Sequence, residues 1–151
     1  MKKLLLVLMI CPLMMLTSCR DNANSNVGAN SIDALIDQEI EATNKQFPMQ
    51  IDNATTLLSM SRDGNVVTYN YSIDEGVLDF DEFTAHEVSF KEQLRNNIIV
   101  ASSPSTEFHA FLILLRDSDK ELHYRYKGNR SGKTMAVGFS NDDIKSLIRD
   151  E

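Results

Sequence analysis

The sequence predicts an α+β domain: an antiparallel sheet of about four strands, made of two hairpins, with helices packed mainly on one face. Three observations lead there. "VVTYNYSI" (66–73) and "ELHYRYK" (121–127) alternate with period two, each with tyrosines on its apolar side. Turn signals adjoin both runs, Asp63-Gly64 before the first and the glycine-bracketed Gly128–Gly132 after the second. Around them lie segments whose apolar residues recur at helical spacing.

The elements follow in order. Ser31 is an N-cap for "IDALIDQEIEATNKQF", with Ile32, Leu35, Ile36, Ile40 and Phe47 on one side and Asp33, Asp37, Glu41 and Lys45 elsewhere. Asp33 and Asp37 bring negative charge to the first turns, where the helix dipole favours it. Pro48 ends this helix. "TTLLSM" is extended and leads through Asp63-Gly64 into the first alternating strand, which puts Val67, Tyr69, Tyr71 and Ile73 on one face and Val66, Thr68, Asn70 and Ser72 on the other. Residues 81 to about 101 read as one long helix with Phe83, Phe90, Leu94, Ile98 and Ala101 buried, closed by Pro104. Ser105 or Thr106 caps the apolar "EFHAFLILLRD". The second hairpin puts Leu122, Tyr124 and Tyr126, then Met135, Val137 and Phe139, toward the core. Ser140 or Asn141 caps the closing helix. The order is thus helix, hairpin, helix, given twice, with "TYNYS" and "HYRYK" in corresponding places; duplication and the economy of α+β folds explain it equally well.

The loop of the second hairpin ends in Gly132-Lys133-Thr134, like a phosphate-binding loop. That motif needs four residues between its glycines and a helix after it. Here three residues separate Gly128 from Gly132, and the alternation after Thr134 predicts a strand. No helix N-terminus is placed to meet a phosphate. The reading is a hairpin loop whose glycines take positive φ, and no nucleotide partner is expected.

Length and charge narrow the functional classes. The chain of 151 residues is one domain by size, and its formal charge of −7 disfavours nucleic acid as a partner. The N-terminus, "MKKLLLVLMICPLMMLTSC", carries two lysines, an apolar run from Leu4 to Leu16 and then small residues, the build of a secretory signal. Its last four residues, Leu16-Thr17-Ser18-Cys19, resemble the lipobox of bacterial lipoproteins. The resemblance implies a signal peptide over 1–18, cleavage before Cys19 and diacylation of the Cys19 thiol; several acyl chains make a stable anchor. Cys11 then leaves with the signal, so no disulfide and no thiol nucleophile remain. Loss of Lys2 and Lys3 leaves 13 basic against 22 acidic residues, −9. Arg20, where an inner-membrane lipoprotein of enterobacteria carries aspartate, implies the outer membrane. Residues 19–30 hold the lipidated cysteine and an Asn/Ser/Gly-rich tether with almost no apolar side chain. Residues 31–151 form the single folded domain.

Catalytic patterns are thin. His86, His109 and His123 have no metal-ligand spacing, so they read as packed or surface histidines. No serine sits in a G-x-S-x-G elbow. Asp79, Asp81 and Glu82 stand where acidic residues stabilise a helix start, and "DEGVLDFDE" lacks the spacing of a calcium loop. No metal, no cofactor and no catalytic residue are therefore assigned. The most specific surface feature is cationic: Lys120, His123, Arg125, Lys127, Arg130 and Lys133 crowd into fourteen residues of an acidic chain. Period two places His123, Arg125 and Lys127 on the face opposite the tyrosines, beside Thr68 and Asn70 of the first hairpin. These five residues are the candidate binding face.

"NKQFPMQID", a threonine at 55 or 56, and "TYNYS" resemble a pattern of small exported bacterial proteins of uncharacterised function. The matching residues are Asn44, Lys45, Pro48, Asp52, Tyr69, Asn70 and Tyr71. The resemblance implies fold and export and no activity. Three expectations follow for function. The first is a non-enzymatic, lipid-anchored binding or accessory protein of the periplasm with an envelope protein as partner. The second is an immunity-type lipoprotein that blocks a toxic enzyme, whose acidic charge would suit a basic target. The third, for which no paired acid and base is found, is an envelope hydrolase.

Overall fold

A computed structural model describes residues 29–103 and 106–148. The expected signal peptide and lipidation site, and nearly all of the expected tether, lie outside the described residues. The elements run α1 (Ala29–Asn44), β1 (Met49–Gln50), β2 (Thr55–Asp63), β3 (Val66–Ile73), α2 (Phe80–Thr84), α3 (Glu87–Ala101), α4 (Glu107–Asp117), β4 (Glu121–Gly128), β5 (Thr134–Phe139) and α5 (Asn141–Leu147). The strands form one sheet in the order β1-β2-β3-β4-β5.

The α+β class and the two hairpins stand as expected; the sheet itself is corrected twice. It has five strands, because Met49 and Gln50 pair with Leu57 and Thr56. Two residues after a proline carry no alternation by which to find them. It is also mixed: β3 and β4 pair in parallel, while the other neighbours are antiparallel. The cause lies in the connection. Three helices separate β3 from β4, which is enough chain to cross back over the sheet and start β4 at the end where β3 starts. The parallel register sets Tyr69 beside Tyr124 and Tyr71 beside Tyr126. The tyrosine strand is thus second in its hairpin in one half and first in the other, so "TYNYS" and "HYRYK" are not equivalent positions of a repeated unit.

One face of the sheet is buried and the other is open. Val67, Tyr71, Ile73, Leu122, Tyr124, Tyr126, Met135, Val137 and Phe139 face the helices and are buried. The rings form a ladder: Tyr69 stacks on Tyr124 at 5.4 Å, Tyr71 on Tyr126 at 4.8 Å, and Phe83 and Phe90 meet Tyr126 edge-on. Burial pushes the Tyr124 and Tyr126 hydroxyls well above the usual tyrosine pKa. The expected tyrosine core is therefore present, with Tyr69 half-buried at its margin.

Helix details differ from expectation in places. α1 starts at Ala29, two residues before the expected cap, and Leu35 is exposed rather than part of its buried stripe, which is carried by Ile36, Ile40 and Thr43. Asp33 and Asp37 do more than meet a dipole: the Arg62 guanidinium binds both, and Asp33 also reaches Lys120 at 2.8 Å. The hydrogen bond from Arg62 holds the Asp37 carboxyl below its usual pKa. The expected helix over 81–101 is two. Asp79 caps α2 by accepting from the N–H groups of Asp81 and Glu82, and the chain breaks before α3 begins at Glu87. The short α2 turns Phe80 and Phe83 inward, where Phe83 meets Phe90 edge-on at 5.2 Å. Thr106 caps α4, and Ser140 with Asp143 forms a reciprocal capping box on α5. Arg95 of α3 bonds Asp143 at 2.6 Å and so ties α3 to that cap.

Candidate functional site

The open face of the sheet is built by the same alternation that builds the core. Parallel pairing of β3 with β4 sets Thr68 beside His123, Asn70 beside Arg125, and Ser72 beside Lys127. The five residues singled out from sequence therefore do meet on one face, and no described element covers them. Asn70 is the hub. Its side-chain carbonyl accepts from Nε and Nη2 of Arg125 at 3.0 and 2.6 Å, and its amide donates to the Ser59 and Ser61 hydroxyls of β2, each at 3.2 Å. Three strands are joined by one amide, and the guanidinium is held in a fixed orientation without losing its charge. Sequence reasoning missed Ser59 and Ser61, because a bulge between Leu57 and Ser59 shifts the phase of β2.

His123 lies flat on the sheet. Its Nε2 is 3.0 Å from a Glu121 carboxylate oxygen, and its ring fills the space over Gly138, where a Cβ would stand 2.9 Å from Nε2. The glycine gives the ring room to lie there; a Cβ would push the His123 ring off the sheet. Lys127 is exposed and makes no ion pair among the described residues.

The wider basic cluster is smaller than the sequence implies. Lys120 is buried, 5% exposed, and bonds Asp33 and Asn65. The Lys133 ammonium sits 2.6 Å from the Asp81 carboxylate, which raises its pKa, and Arg130 lies 4.0 Å from Asp74. Charge spacing in sequence cannot reveal which cations fold back onto acids. What remains facing solvent on the open face is Arg125 and Lys127, with His123 tied to Glu121.

Residues 129–133 form a hairpin loop, followed by β5 as expected; Gly132 takes φ 70°, whereas Gly128 ends β4 without the positive φ expected of it. Its N–H groups do hold an anion, and that anion belongs to the chain: the Glu75 carboxylate accepts from the N–H groups of Arg130 and Ser131 at 2.6 and 2.7 Å. These bonds, that from Ser131 foremost, hold the Glu75 pKa below its usual value. Asp74 is lowered in the same way by the Gly76 N–H and the Asn129 side chain. The acidic stretch 74–82 therefore fastens the loop and caps a helix. Among the described residues no group of three or more His, Cys, Asp or Glu could hold a metal ion. His109 Nδ1–H donates to the Ser102 carbonyl at 3.0 Å, and His86 is exposed at the start of α3.

Several residues of the pattern noted in the sequence between Asn44 and Tyr71 have physical roles in the fold. The Asn44 amide clamps the β2 backbone, accepting from the Met60 N–H at 2.7 Å and donating to the Met60 carbonyl at 2.8 Å. Asp52 accepts from the N–H groups of Ala54 and Thr55 and so fixes the turn into β2. Tyr69 and Tyr71 supply two of the stacked rings of the ladder.

Residues 30–136 match the family described as Domain of unknown function (DUF8479), and the chain belongs to it. No curated protein matches the chain. Among solved structures it is similar to a protein of Pseudomonas aeruginosa classed as secreted, with a TM-score of 0.62 and 11% identity over 80% of this chain and 99% of that one. It is also similar to the type 2 secretion pilotin EpsS of Vibrio vulnificus, with a TM-score of 0.49 and 9% identity over 77% of this chain and 94% of that one. The type II secretion pilotin AspS of Vibrio cholerae gives 0.48 and 8%, over 76% and 94%. The likeness to the Pseudomonas protein is a likeness of fold.

Proposed function

We propose that the chain is a lipid-anchored, non-enzymatic accessory protein of the cell envelope that binds an envelope partner through the open face of its sheet. The observation that carries the reading is the register that lines up Thr68, Asn70, His123, Arg125 and Lys127 on an uncovered surface. Arg125 is oriented by a neutral amide, so its charge is available to a ligand. The signature residues Asn44, Asp52, Tyr69 and Tyr71 serve the fold, which leaves recognition to the face. The lipobox at Cys19 supports the anchor, and Arg20 after it supports the outer membrane. A tether of about ten residues reaches at most about 35 Å, so the domain works close to the bilayer.

The anchor is tested by labelling growing cells with palmitate. The wild-type chain takes up label and sediments with membranes; Cys19→Ser takes up none. Label retained by Cys19→Ser contradicts the anchor. The binding role is tested by immobilising the chain through its C-terminus over solubilised envelope. Retention of an acidic envelope protein that falls as salt rises supports the reading, since exposed charges are screened beyond about 10 Å at 0.1 M. Retention indifferent to salt contradicts it.

A further inference from the structure

The two edges of the sheet are treated differently. On one side, β1 and the Asn44 amide cover the outward backbone of β2. On the other, β5 has a neighbour only in β4 among the described residues. The ladder fixes which groups it leaves over. The Gly128 N–H donates to the Lys133 carbonyl at 2.9 Å. By the alternation of an antiparallel pair, Met135, Val137 and Phe139 then bond β4, while Thr134, Ala136 and Gly138 turn their N–H and C=O groups outward. These three carry the smallest side chains of the strand, and β5 has no proline, no charge and no bulge, the devices that normally blunt an edge.

Beside this edge runs a groove of about 200 Å³, walled by Glu87, Val88, Lys91 and Glu92 of α3 and by Ala136, Val137 and Gly138. Val88 is 82% exposed on its rim. We infer that β5 is a pairing edge for a second copy of this chain. A two-fold axis beside Ala136 opposes Ala136 to its counterpart and Thr134 to the partner copy's Gly138. Every outward N–H then meets an outward C=O, and the two sheets continue as one of ten strands. The same axis brings the two α3 helices together across the groove. The groove wall carries both signs, Glu87 and Glu92 about Lys91, so each Lys91, 4.0 Å from Asp143 of its own chain, meets a glutamate of the other copy, and the two Val88 side chains cover each other. That symmetry of charge favours a second copy over an unrelated strand.

The test uses the chain from Arg20 to Glu151, which keeps every described residue and contains no cysteine. Sedimentation across a concentration series is expected to show twice the chain mass at high concentration. Ala136→Pro removes an outward N–H and leaves the β4 ladder whole, so it should sediment as a monomer with wild-type circular dichroism. Ala136→Cys, as the sole cysteine, should cross-link to a disulfide dimer on mild oxidation, since opposed residues at a strand pair stand about 5.5 Å apart between Cα atoms. A monomer at every concentration overturns the inference, and so does a dimer that survives Ala136→Pro with the fold intact. If Ala136→Pro fails to fold, the cross-link decides: no dimer from Ala136→Cys overturns the inference, whereas cross-linking confined to that position, and absent from Lys127→Cys on the open face, upholds it.

Discussion

Tyr124→Ala is expected to lower the free energy of unfolding by about 3–5 kcal/mol, the range for an aromatic truncated in a close-packed core. Tyr124 is 2% exposed on β4, the strand with a pairing neighbour on each side that also carries Tyr126. Its ring stacks on Tyr69 at 5.4 Å and on Tyr71 at 6.3 Å and meets Phe139 edge-on at 6.1 Å. Removing it opens a cavity that the rings on β3 and β5 cannot close, because each is fixed by its own register. In urea titration the midpoint should fall with little change in slope. A small domain loses several degrees of melting temperature per kcal/mol, so an unchanged melt contradicts the ladder. Tyr69→Ala, at the half-buried margin, should cost less.

Asn44→Ala should destabilise by about 2 kcal/mol, because it leaves a donor and an acceptor of the β2 backbone unpaired at a part-buried edge. Its neighbour in the signature behaves oppositely. Among the described residues the Lys45 side chain pairs only with Glu41, at 3.7 Å, with both side chains about three-quarters exposed (74% and 78%). Such pairs contribute little, so Lys45→Ala should leave the midpoint near wild type. The comparison is made by denaturant unfolding of both variants side by side. Equal losses, or none from Asn44→Ala, would contradict the clamp.

Much of the fold was legible because alternation and helical spacing state which side of an element is apolar, independently of how elements are joined. Val67, Tyr71, Tyr124, Tyr126, Met135, Val137 and Phe139 are buried as their spacing predicts. Direction was not legible. The same alternation suits a parallel or an antiparallel neighbour, and only the path of α2, α3 and α4 selects the parallel pairing of β3 with β4. The break at Ala85 and His86 was hidden because the apolar residues on either side keep one helical phase. At the site, period two placed His123, Arg125 and Lys127 together, since facing is local. It could not foresee that Lys120 is buried against Asp33, or that Lys133 is bound by Asp81, because those acids lie 87 and 52 positions away. Nor could it foresee Glu75 filling the hairpin loop.

The most direct measurement is capture of an acidic envelope partner by the double variant Arg125→Glu with Lys127→Glu. Both side chains are exposed on the open face, and neither takes part in the core. Arg125 bonds only Asn70 among the described residues, so the fold should survive the charge reversal. The expected result is a melting temperature within a few degrees of wild type and loss of the salt-sensitive capture expected of the wild-type chain. Capture undiminished in a folded double variant would contradict the open sheet face as the binding surface.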